Sequence, residues 1–253
     1  RLLEGLENLE ELFIENNTEV YTEDNVVYDH ETDKLRFYPS GLLEETLVIP
    51  ASIQDIGRYA FSSSKVETLN LHETLSFDDG AFARLYNLKQ INVADAHETM
   101  MDVNGVLYSK SQTSLHAYPA GKEDATYVIL DTTLSIEPYA FAHQLHLETL
   151  DIPEGVSFIG ESAFIYNESL HTLDLPTTLE VIESNNFQND EDVLDTLIVR
   201  RTDETFITAS PNNAFGHDDL SIYLPNDSIN TYEADVFWSI LSDYFKPLST
   251  LDS

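Results

Sequence analysis

The stretch Leu47-Val-Ile-Pro-Ala-Ser-Ile-Gln-Asp-Ile-Gly-Arg-Tyr-Ala-Phe61 has a near copy in Leu150-Asp-Ile-Pro-Glu-Gly-Val-Ser-Phe-Ile-Gly-Glu-Ser-Ala-Phe164. Each begins with a short alternation of apolar and other residues, the signature of a strand with one buried face. Pro then ends strand pairing. An aliphatic pair follows, Ile53 with Ile56 or Val156 with Ile159, and the next residue is Gly57 or Gly160. Glycine there is expected to permit the turn into the Ala-Phe segment.

From these two copies the pattern extends in both directions. Ala-Phe recurs at Phe61, Phe82, Phe141, Phe164 and Phe215, with Asn186-Phe187 as a variant, and the Phe spacings are 21, 59, 23, 23 and 28. The strand string recurs as Val66-Glu-Thr-Leu69-Asn-Leu71, Leu88-Lys-Gln-Ile91-Asn-Val93, Leu147-Glu-Thr-Leu150-Asp-Ile152, Leu170-His-Thr-Leu173-Asp-Leu175 and Leu194-Asp-Thr-Leu197-Ile-Val199. Shorter matches are Leu47-Val-Ile49, Val128-Ile-Leu130 and Ile222-Tyr-Leu224, and Leu9-Glu-Glu-Leu12-Phe-Ile14 reads as the end of a unit that starts before Arg1. One unit of about 23 residues cannot bury its own apolar side, but a stack of units can. The Phe residues are then expected to form an internal column.

A second period overlies the first. Val26-Val-Tyr28 with Leu35-Arg-Phe-Tyr38-Pro39-Ser-Gly41 matches Val106-Leu-Tyr108 with Leu115-His-Ala-Tyr118-Pro119-Ala-Gly121, every position offset by 80. These inserts read as β-hairpins, at about residues 17–46 and 94–127. At the other end, Asp227 or Ser228 is expected to cap a helix through Tyr232, Val236, Phe237, Ile240, Leu241 and Tyr244, closed by Lys246-Pro247. This region, about residues 222–253, forms the C-terminal cap, and its Trp238 is expected in the core. The whole, residues 1–253, reads as a single domain.

These residues resemble the BspA-type leucine-rich repeat, a branch of the leucine-rich-repeat family found in bacterial cell-surface proteins. The hairpin string Asn104-Gly-Val-Leu-Tyr108 with Tyr118-Pro119, and the ending Tyr223-Leu-Pro225, Tyr232, Trp238 and Pro247-Leu248, belong to the same resemblance. Local departures are Asn186-Phe187 for Ala-Phe, Asp131 for the Pro and Glu137-Pro138 for Ile-Gly. The fold expected is a leucine-rich-repeat solenoid, β-rich with short helical turns, a parallel concave sheet, two β-hairpin insertions and a helical C-terminal cap. The resemblance implies adhesion or protein binding at the outside of a bacterium, and no catalytic residue.

The charge narrows the function further. With 46 acidic and 12 basic residues the net charge is −34, which repels phosphate backbones and anionic membranes. From Glu123 to Val199 there are 16 Asp or Glu and no Lys or Arg. This reads first as a solvated surface and second as one that attracts cations or a basic partner. The absence of cysteine removes disulfides, thiolate metal sites and Cys nucleophiles. No apolar run reaches the roughly 20 residues of a membrane span. The chain begins at Arg1, consistent with processing of a longer precursor, a removed signal peptide included.

Chemical motifs are sparse. His143-Gln-Leu-His146 has a helical metal spacing but no third ligand, and a polar loop is the plainer reading. Asp102-Val-Asn104-Gly105 lacks the ligand ladder of a calcium loop and reads as a hairpin turn. Asn16, Asn167 and Asn226 head glycosylation sequons by pattern. No phosphate loop, nucleophile elbow or dinucleotide fingerprint occurs, so no catalytic residue, metal or cofactor is expected.

What remains is the exposed face of the strands. One outward column is expected to read Val48, Asn70, Asn92, Ile129, Asp151, Asp174, Ile198 and Tyr223, and a second Thr46, Thr68, Gln90, Tyr127, Thr149, Thr172, Thr196 and Ser221. The second fits plain β-propensity. From the first, Asn70, Asn92, Asp151, Asp174, Ile198 and Tyr223 are the candidate binding residues. They are polar to acidic in the middle and apolar toward the C-terminal end. The function expected is a non-enzymatic cell-surface module that binds a protein or glycan, host matrix included. The alternative is a structural spacer that binds nothing itself.

Overall fold

The structure, a computed structural model, describes residues 14, 17–23, 26–39, 45–62, 64–186, 193–201, 208–209, 220–236 and 238–251. Phe187, Ala214-Phe215, Phe237, Asn16 and residues 9–13 lie outside them. The chain divides into two compact units, one of residues 1–111, 115–122 and 139–143, the other of residues 112–114, 123–138 and 144–253.

In the first unit each repeat contributes one longer strand to a parallel sheet. Strands Thr46–Val48, Thr68–Leu71 and Gln90–Val93 pair side by side. Leu47, Leu69, Leu71 and Ile91 point inward and are buried, while Thr68 and Asn70 alternate outward. A second parallel ladder uses the aliphatic pair of the motif: Leu35–Phe37, Asp55–Ile56 and Ser76–Phe77. The segment between the longer strand and the motif glycine thus holds a second strand, of two residues. Lys34 links this ladder through ion pairs of 2.8 Å to Asp55 and 2.7 Å to Asp78, which hold its ammonium above its usual range, the bond to Asp55 first.

Both hairpin insertions are present, and each has three strands rather than two. Val20–Glu23, Val26–Asp29 and Leu35–Phe37 run antiparallel, as do Met100–Val103, Val106–Ser109 and Ser114–Ala117. The register slips at Val27/Tyr28 in one and at Leu107/Tyr108 in the other, so even the bulge keeps the offset of 80. Behind each insert a tyrosine meets the next Phe. Tyr38 lies 5.7 Å from Phe61, Tyr118 stacks 5.4 Å from Phe141, and both tyrosine N–H groups donate at 2.7 Å to the alanine before that Phe.

The second unit repeats the scheme. Its longer strands are Thr126–Val128 with Thr149–Asp151, and Thr172–Leu175 with Thr196–Val199 and Ser221–Leu224. Its short ladder is Ser135–Ile136, Phe158–Ile159 and Val181–Ile182. Phe61, Phe141 and Phe164 are all buried, as the repeat requires. Asn186 is buried in the place of alanine. Its amide donates at 2.9 Å to the carbonyls of Gly160 and Glu183 and its oxygen accepts from the Phe164 N–H, so it links two repeats and leaves no polar group unpaired there.

Three local expectations change. The glycine after the aliphatic pair has ordinary φ; it is needed for space, because a Cβ on Gly160 would lie 2.5 Å from the Pro138 nitrogen. Left-handed φ falls instead on the residue before Ala or Asn: Tyr59, Tyr139, Ser162 and Asn185. In the repeat before Phe141 the register is one residue off the sequence reading. Val128 pairs with Asp151 and Ile136 with Ile159, so Leu130 stands for the proline, Glu137 for the glycine, and buried Thr133 for Val156.

The third change is in the cap. An α-helix covers Ile229–Ala234 and a 3-10 helix Trp238–Tyr244, separated by Asp235 in extended backbone. The Asp235 side chain accepts the Trp238 N–H at 2.9 Å and restarts the helix, which breaks the expected stripe. Val236 and Ile240 are consequently 87% and 70% exposed, and Ser228 makes no side-chain cap. Trp238 is buried edge-on against Tyr232 at 5.2 Å, in the core as expected. Phe245–Pro247 then joins the sheet, pairing in parallel with Ser221–Leu224.

Candidate binding surface

The outward column follows from strand alternation, and the pairing registers define it. In the first unit Val48, Asn70 and Asn92 lie side by side, flanked by Thr46, Thr68 and Gln90. The amides satisfy one another: Asn92 donates to Asn70 at 2.9 Å and Gln90 donates to Asn92. Val48 beside them is 65% exposed.

In the second unit Val128 pairs with Asp151, and Asp174, Ile198, Tyr223 and Lys246 form one continuous row. Val128, not Ile129, holds the outward place and is 63% exposed, while Ile129 is buried; likewise Thr126 replaces Tyr127 in the threonine column. The Phe141–Phe164 spacing of 23 carried that signal, since counting back 23 from Asp151 and Thr149 reaches Val128 and Thr126.

The electrostatics of this row differ from the sequence expectation. Asp174 is held by Arg200 through two bonds of 2.6 Å, a bidentate pair that cancels its charge. Arg200 lies one residue beyond the stretch without basic groups. Ile198 is only 6% exposed and offers no apolar surface. Tyr223 is half-buried, with the Lys246 ammonium 5.9 Å from its ring centre and bonded at 2.6 Å to the Ser221 hydroxyl. Asp151 remains exposed, and no basic group pairs with it among the described residues. Sequence reasoning missed Arg200 and Lys246 because both arrive from the next strand over.

The other candidates separate cleanly. His143 is buried and His146 exposed, and among the described residues no three potential ligands converge on a metal site. Asp102 accepts the Val93 N–H at 3.0 Å, while Asn104 and Gly105, both at positive φ, make the hairpin turn. The buried Asn167 amide donates to the Phe164 carbonyl at 2.7 Å, which closes that sequon to a glycan; Asn226 is exposed and bonded to Ser249. Tyr108 is fully buried and cannot meet a ligand. No helix among the described residues is long and apolar enough to cross a membrane.

Comparison with known proteins agrees with this geometry. The model of the BspA type leucine rich repeat region matches six copies, over residues 34–109 and 123–242. A leucine-rich repeat protein from Eubacterium ventriosum superposes with a TM-score of 0.61 at 25% identity, over 72% of this chain and 48% of its own. A leucine rich cell surface protein from Faecalibacterium prausnitzii gives 0.55 and 21%, over 70% and 47%. The pneumococcal vaccine antigen PcpA gives 0.51 and 20%, over 80% and 66%. The chain thus spans about half the length of the first two. No curated protein matches it.

Proposed function

We propose, starting from the fact that the chain belongs to the BspA-type leucine-rich repeat family, that it is a non-enzymatic module that binds a protein or glycan at a bacterial cell surface. The sheet's outward face is the surface it uses. The observation that carries this reading is the row ending in Tyr223 and Lys246. There a half-exposed tyrosine, a favoured anchor at interfaces, stands beside an ammonium whose partners are a hydroxyl and a ring. Exposed Val128 and Asp151 extend the same face with one apolar and one charged contact. The surface location draws on the Faecalibacterium protein of similar fold, which is described as a cell surface protein.

The spacer reading draws on the first unit, where Asn70, Asn92 and Gln90 are spent on one another. An array of host matrix proteins and glycans separates the two. The binding reading expects the purified protein to retain a defined set of ligands, and a folded Tyr223→Ala, Lys246→Ala double variant to lose them. A protein that retains none of the array is a spacer.

A further inference from the structure

Away from the sheet face, the first unit carries a cationic cluster at odds with its acidic composition. The Arg58 guanidinium lies over the Tyr139 ring at 5.0 Å, and that of Arg84 over the Tyr59 ring at 5.0 Å. The two rings meet edge to face at 5.7 Å and 87°. The four side chains form a continuous row of cation, ring, ring and cation. Tyr59 and Tyr139 precede Ala-Phe in repeats 80 residues apart, and Gly80 precedes it in another. A Cβ on Gly80 would lie 3.0 Å from the Tyr139 ring and 3.3 Å from the Arg58 side chain, so that glycine leaves the space in which the row assembles.

Arg58 is exposed yet held in place. Its Nε donates to the Asp79 carbonyl at 3.0 Å and its Nη1 to the Tyr139 hydroxyl at 3.3 Å, both neutral acceptors. Lys34, Arg36, Lys89 and Arg200 all sit on carboxylates. Among the described residues no carboxylate pairs with Arg58, in a chain with 46 acids to 12 bases. The neighbouring His143 adds no charge at neutral pH, because burial first and Arg84 second push its pKa down to about 4. Burial, followed by the bond that its hydroxyl donates to Tyr139, keeps Tyr59 protonated.

A fixed guanidinium with an uncommitted Nη2 matches the planar fork of a carboxylate. Tyrosine hydroxyls and half-buried ring edges beside it suit a polar ring. We propose that the row of Arg58, Tyr139, Tyr59 and Arg84 binds a carboxylate-bearing sugar of an acidic glycan. The site is separate from the sheet's outward face and does not depend on it.

The test is calorimetric titration of the whole protein at low ionic strength with trigalacturonate, galactotriose and a triglutamate peptide. Trigalacturonate is expected to bind and the other two to bind at least ten-fold more weakly. Arg58→Gln should weaken trigalacturonate at least ten-fold with the melting temperature unchanged. Arg58→Lys, which keeps the charge and loses the fork, should fall between, and Glu73→Gln, at an exposed position outside the row, should bind like the parent. Absence of binding, equal binding of galactotriose, or an Arg58→Gln protein that binds like the parent overturns the proposal. Triglutamate binding as tightly as trigalacturonate overturns it in favour of an acidic protein segment.

Discussion

His143 shows how one buried side chain makes stability depend on pH. Its imidazole packs edge to face on Tyr86 at 5.7 Å and is buried, so its pKa is pushed from 6.5 down to about 4, by burial first and then by Arg84. The unfolded chain therefore binds a proton between these values that the folded chain refuses. The stability contributed by keeping His143 neutral is complete above about pH 6.5 and is lost as pH falls toward 4, on the order of 3 kcal/mol. As pH falls from about 6.5 to 4, the melting temperature of the parent should drop further than that of His143→Gln, which lacks the titrating group. Parallel curves would remove His143 from the account. His143 was legible in sequence only as half of a weak metal spacing. Its burial depends on Tyr86 and Arg84, which no local pattern ties to it.

At the scale of the element, strands, hairpins and their order were legible because apolar alternation and the offset of 80 are properties of the chain itself. The short ladder was not, since two-residue strands such as Phe158–Ile159 have too few residues for a period to show. The role of the motif glycine was misread for a related reason: the obstacle to a side chain is the backbone of the preceding repeat. Gly160→Ala brings a Cβ to 2.5 Å from the Pro138 nitrogen and 2.7 Å from its Cδ, where backbone cannot yield cheaply. The expected cost is about 1–3 kcal/mol, or several degrees of melting temperature. An unchanged melting temperature would mean that adjacent repeats slide freely. The cap failed as a single helix because Asp235 competes for the Trp238 N–H, a choice between two capping sites that a stripe of apolar residues does not reveal.

For the whole molecule, charge sets the terms. A net −34 opposes compaction, and the few ion pairs found, such as Arg200 with Asp174, offset little of it. Raising salt from about 0.1 M to 1 M shortens the screening length from about 10 Å to 3 Å. The melting temperature should therefore rise over that range, and a flat or falling one would show that repulsion is not limiting. The same charge shapes recognition. The acidic run was plain in the sequence, but its effect on the sheet face was not, because Arg200 and Lys246 reach that face from neighbouring strands. The central claim is that this face binds a ligand. The most direct measurement is the Kd of the strongest array ligand for the parent, Tyr223→Ala, Asp151→Lys and Glu73→Lys, the last a control at an exposed site off the row. The account predicts at least ten-fold weaker binding for Tyr223→Ala or Asp151→Lys and parental binding for Glu73→Lys, whereas parental affinity in both face variants would contradict it.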